Sequence, residues 1–159
     1  MWIDYSLLVL IGFLTSLIIY QDFKFRLINL WLIIFYCFAI LLYSFYKLSI
    51  YQLLVNGVFV FVYLFVCWLV LKALYFKQYQ KWETILDTKI GLADVILIFL
   101  TGIYCEPFYF LVLTVGYCFI GMIYYMVFRK KTKSLTIPLA AIIGFTFYTY
   151  LLFQYLYKN

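Results

Sequence analysis

The 159 residues are 69% hydrophobic and only 11% charged, with a mean hydropathy of +1.09. Too few polar side chains are present to coat a soluble domain of this length, so the composition excludes a water-soluble globule and indicates an all-α polytopic membrane protein. The apolar runs are continuous, which argues against a membrane barrel, and the absence of histidine removes Ser-His and Cys-His catalysis and the commonest transition-metal ligand.

The first apolar run, Trp2 to Tyr20, carries Asp4 and lacks both a basic leader region and a small-residue cleavage site, so it reads as a retained span. About 20 residues of helix cross the ~30 Å hydrocarbon core. The run ends at Gln21-Asp22, and a polar loop reaching Asn29 holds Lys24 and Arg26. Span two covers Leu30 to Tyr46, with Trp31 and Tyr46 as interface anchors. A turn at Lys47 to Tyr51 leads into span three, Leu53 to Leu74. The longest polar loop, Tyr75 to Lys89, mixes Lys77, Lys81, Glu83, Asp87 and Lys89 with Trp82, Ile85 and Leu86, as a segment lying on the bilayer would. Span four starts near Thr88 to Gly91 and stops at Glu106-Pro107, close to the shortest length that crosses. Span five is Phe108 to Phe128, followed by Arg129, Lys130, Lys131 and Lys133. Span six is Ile137 to Tyr155, with Pro138 in its first turn, where a missing N–H does no harm.

These six spans make a single membrane-embedded domain, residues 1–159, with both termini on one side. Lys24 and Arg26, then Lys72, Lys77, Lys81 and Lys89, then Arg129, Lys130, Lys131 and Lys133 follow spans one, three and five. They are ten of the 12 basic residues. The positive-inside rule places those loops in the cytoplasm and both termini on the non-cytoplasmic side. The net charge of +6 is then a topology signal and an attraction to anionic lipid, and no basic groove for nucleic acid accompanies it. Cys37, Cys67, Cys105 and Cys118 all fall in apolar runs without a CxxC pair, as small buried hydrophobes do. No metal and no cofactor is expected.

This topology sets Asp22 and Asp94 at the same membrane depth, at the cytoplasmic ends of spans one and four. A carboxylate inside hydrocarbon costs ~2.5 to 3.5 kcal/mol on insertion scales, which a function would explain. If spans one and four fold together, the two carboxyls share a pocket and hold one proton between them, the arrangement of aspartic proteolysis. Taken singly, each has a simpler reading. Asp22 suits a helix end in a loop, and Asp94 suits a helix N-terminus, favoured by the dipole or paired with Lys89. Asp4, Glu83, Asp87 and Glu106 read as interface or loop residues.

The same stretches resemble the prepilin peptidase family (type IV leader peptidases), GxGD-type intramembrane aspartic proteases. Asp22-Phe-Lys24-Phe-Arg26-Leu-Ile28 with Trp31-Leu32 is similar to that family's first motif, with Asn29 displaced by one position from the family's Asn. Gly91, Asp94 and Leu97 match the second motif, where Ala93 replaces the second glycine and Ile96 replaces a lysine. Ile137-Pro138 resembles the segment that opens the last helix. The resemblance spans the six-helix layout. It implies catalytic Asp22 and Asp94, with Lys24, Arg26, Asn29, Gly91, Ala93 and Pro138 in supporting or substrate-binding places. It also implies a cell (inner) membrane enzyme that removes the short basic leader from a prepilin or pseudopilin at the cytoplasmic face. The tetracysteine element of bifunctional members has no counterpart, so a peptidase-only form without methyltransferase activity is expected. Other readings stay open: a small transporter or proton relay using Asp94, an aspartic protease of the presenilin or signal-peptide-peptidase kind, and an inactive family member.

Overall fold

Backbone amides in hydrocarbon have no water to bond, so a chain this apolar satisfies them within helices. A computed structural model describes residues 2–25, 27–79, 91–128 and 137–158, which form six helices. They are α1 (Trp2–Phe25), α2 (Leu30–Lys47), α3 (Ile50–Tyr79), α4 (Leu92–Tyr104), α5 (Pro107–Phe128) and α6 (Leu139–Lys158). Five are long and apolar enough to cross a membrane. The exception is α4, whose 13 residues span about 20 Å at 1.5 Å per residue, short of the ~30 Å core.

Three boundaries differ from those expected. Asp22 lies inside α1, which continues to Phe25, so it belongs to a helix and not to the polar loop. Helix α3 begins at Ile50 and runs on to Tyr79, so the first residues of the expected Tyr75 to Lys89 loop are helical. Helix α4 begins at Leu92, one residue past the expected start near Thr88 to Gly91. Arg26, the rest of that loop, and the basic cluster of Arg129, Lys130, Lys131 and Lys133 lie outside the described residues.

Among the described residues, α1 packs on α2 and α6, and α4 packs on the same two helices, while α1 and α4 make no close backbone contact with each other. The order around the centre is therefore α1, α2, α4, α6, a four-helix ring with α1 and α4 at opposite corners. Helix α3 lies outside against α4, and α5 lies outside against α6 and α4. The tight α3–α4 seam depends on Gly102. A Cβ there would fall inside the Val60 side chain and 3.0 Å from Phe110.

Hydrophobicity does not distinguish inside from outside here. Phe13, Phe35, Phe61, Val112 and Phe145 all face outward, as lipid contact allows. The interior is marked instead by polar residues at helical spacing. On α1 the buried stripe is Asp4, Leu8, Ile11, Thr15, Ile18 and Asp22. Asp4, expected as an interface residue, is buried at the opposite end of the stripe from Asp22 and paired with Lys47 Nζ of α2 at 2.7 Å. That ion pair ties the start of α1 to the end of its antiparallel neighbour.

Candidate active site

The site is built on the start of α6. Pro138 occupies the capping position, its carbonyl accepting from the Ile142 N–H at 3.2 Å. Proline has no side-chain acceptor; the Leu139 N–H donates to the Ile137 carbonyl at 2.8 Å, and the next two amides of α6 find partners on other helices. The Ala141 N–H donates to Asp22 Oδ2 at 2.9 Å, in a buried bond across 119 residues of sequence. The neighbouring Ala140 N–H is directed at the Asp94 carboxylate. Two acids from two other helices thus serve adjacent amides of a third.

Asp22 is 8% exposed and Asp94 is half-buried. Asp22 and Asp94 are near enough for the charge of one to act on the other. The expected packing of spans one and four side by side is not found. From opposite corners of the ring, the two acids reach adjacent amides at the start of α6, their common contact.

Asp94 has a second tie. It sits three residues into α4 and turns back to the N–H of Gly91, the capping residue, in the manner of a capping box. Gly91 itself offers no side-chain cap. A Cβ at Gly91 would stand 3.1 Å from Asp94 Oδ2, so the small residue leaves the carboxylate its place. The N-terminal ends of α4 and α6, each the positive end of a helix dipole, therefore converge on the two acids.

No family model, curated protein or solved structure matches this chain.

The supporting residues divide. Lys24 donates to Tyr20 Oη at 2.6 Å and lies 5.0 Å and 5.1 Å from the Tyr20 and Phe25 ring centroids, so its own helix engages it. Asn29 caps α2, accepting the Trp31 N–H at 3.0 Å, while its own N–H donates to Gln21 Oε1 at 2.8 Å. That pair fastens the start of α2 beside Asp22. Ala93 is half-buried in the first turn of α4, Pro138 frees the α6 amides for the acids, and Arg26 lies outside the described residues. Sequence reasoning missed the amides of Ala140 and Ala141 and the role of Gln21. A signal for the amides existed: a helix that opens on Pro-Leu-Ala-Ala has no cap of its own.

Among the described residues, no group of three or more Cys, Asp or Glu is placed to hold a metal ion. What the site offers is two carboxyls on adjacent backbone donors at the end of an apolar bundle. Such a pair can hold a proton, orient a water and exchange protons with a polar group between them.

Proposed function

We propose that the protein is an intramembrane aspartic endopeptidase of the prepilin-peptidase type, which removes the short basic leader of prepilin-like substrates. The observation that carries this reading is the meeting of Asp22 and Asp94, from opposite corners of the ring, at the start of α6. In this mechanism one carboxylate takes a proton from a water held between the acids. The water oxygen bonds to the scissile carbonyl carbon, and the other carboxyl gives its proton to the carbonyl oxygen. Collapse re-forms the carbonyl, returns that proton to the carboxylate that gave it and breaks the C–N bond, while the proton first taken from water passes to the leaving amine. The α6 amides keep the acids in place throughout.

The accompanying topology has six crossings with α4 as the fourth, both termini outside, and the acid pair at the cytoplasmic side of the cell membrane. The bias of ten among 12 basic residues toward one set of loops supports it. The short α4 is consistent with a start below the membrane surface, leaving a depression in which a substrate helix can unwind and present a carbonyl. The substrate's own apolar helix would lie in the bilayer beside the bundle.

A structural role for the same residues has one observation in its favour: each acid also caps a helix start. Co-expression with a candidate prepilin separates the two roles. Asn keeps a carbonyl oxygen that accepts the amide bonds but abolishes proton exchange. Asp22→Asn and Asp94→Asn should each lower cleavage by about 10² to 10⁴-fold with the protein still folded. Full cleavage by either variant would refute the paired-acid mechanism.

A further inference from the structure

Unwinding a helical substrate for cleavage frees main-chain carbonyls that its helix had satisfied, and beside an apolar bundle each of them needs a donor. The acid pair does not supply one cheaply. Ionised carboxyls only accept, and the Ala140 and Ala141 N–H groups are already directed at them. Lys24 is turned back onto Tyr20 Oη of its own helix.

Two carboxamides at the same end of the ring have donors to spare. Gln21 immediately precedes Asp22, and its Oε1 accepts the Asn29 N–H at 2.8 Å. Asn29 Oδ1 in turn accepts the Trp31 N–H at 3.0 Å. A main-chain N–H is met by the oxygen of an amide and not by its nitrogen, so these two bonds fix which way round each side chain lies. Gln21 Nε2 and Asn29 Nδ2 have no hydrogen-bond partner among the described residues, although each carries two protons. Gln21 is half-buried and Asn29 is exposed, so a peptide can reach both. Because both side chains are already tied down, little further ordering is needed to bind one.

We propose that Gln21 and Asn29 form a subsite for main-chain carbonyls of the substrate, flanking the bond that is cut. The subsite rests on the peptidase reading and adds two residues that hold the peptide without touching the reacting atoms. Its place follows from the ring. Helix α2 starts at the corner next to α1, and packed helix axes lie about 8 to 10 Å apart. An extended chain covers that distance in about three residues at ~3.3 Å each. The carbonyl bound there is therefore about three residues from the scissile bond. Uncharged N–H donors suit an amide carbonyl at any residue, so the subsite reads the backbone and sets no side-chain preference.

Steady-state kinetics of the purified full-length protein test this, with a synthetic peptide of basic leader and apolar helix as substrate. Gln21→Glu keeps the oxygen that holds Asn29 and loses the amide donors, and Asn29→Ser keeps a capping oxygen without an amide. Each should raise KM by about 3 to 10-fold, the worth of one hydrogen bond, with kcat and melting temperature nearly unchanged. Lowered kcat at unchanged KM would overturn the subsite, in favour of a part in aligning Asp22. Unchanged KM in both variants would overturn it and leave the peptidase reading intact, whereas no cleavage by the unaltered protein would remove both. A second measurement needs no variant. Single ester-for-amide replacements, two to four residues either side of the scissile bond, weaken one carbonyl acceptor at a time. At least one should raise KM several-fold in the unaltered protein, and no effect at any position would overturn the subsite.

Discussion

Alanine and asparagine ask different questions at positions 22 and 94. Asparagine keeps the acceptor for the α6 amides, whereas alanine removes acceptor and acid together. Asp22→Ala should therefore lose activity and also about 1 kcal/mol of stability, the usual loss when a helix start is uncapped; thermal unfolding beside Asp22→Asn measures the difference. Gly91→Ala isolates position from chemistry. The added methyl crowds Asp94 Oδ2 without removing the acid. A displacement of about 1 Å should lower cleavage by up to about 100-fold while the melting temperature changes little. That Asp22 and Asp94 stand out was legible in the sequence, because a carboxylate beside or within an apolar run is conspicuous. Their shared contact was not, because main-chain donors such as those of Ala140 and Ala141 leave no side-chain signature. The pairing of Asp4 was hidden for a related reason: its partner Lys47 is 43 residues away on another helix, and nothing local announces the pair.

At the scale of helices, the structure depends on a few contacts and not on general apolarity. Gly102→Ala should push α3 from α4, because its methyl meets the branched Val60 side chain and the Phe110 ring. The expected loss is about 1 to 3 kcal/mol by overpacking, read as a lower midpoint of unfolding in detergent. Asp4→Asn should cost about 2 kcal/mol by leaving Lys47 with a weaker partner, less than a fully buried pair because Lys47 is partly exposed. Salt titration checks this, since the difference between the two proteins should shrink as salt rises. Helix number and type followed from hydropathy alone. The helix ends did not, since α1 and α3 both run past their apolar stretches. The short α4 was only half legible. Glu106-Pro107 marked its end, but its start at Leu92 is set by Gly91 and by the capping turn of Asp94.

At the scale of the molecule, the ring turns its acids toward the start of α6 and leaves large apolar side chains on its rim. Which helices form it was not legible, because the outward faces of α1 and α2 are as apolar as the faces that pack. The topology proposed above has a direct check. A phosphatase fused after α6 should be active and a fluorescent protein fused there should stay dark, as for a C-terminus outside the cytoplasm. The reverse pair of results would turn the molecule over and put the acid pair on the other face.

The diagonal placement of α1 and α4 also bears on synthesis. Both acids belong to segments made well before α6, yet α6 supplies the amides that hold them and closes the two remaining edges of the ring. A nascent chain that has emerged only as far as α5 carries the reactive groups without the frame that aligns them. Competence would then arrive in one step, as the final helix docks, and the unfinished chain would be inert toward its neighbours in the membrane.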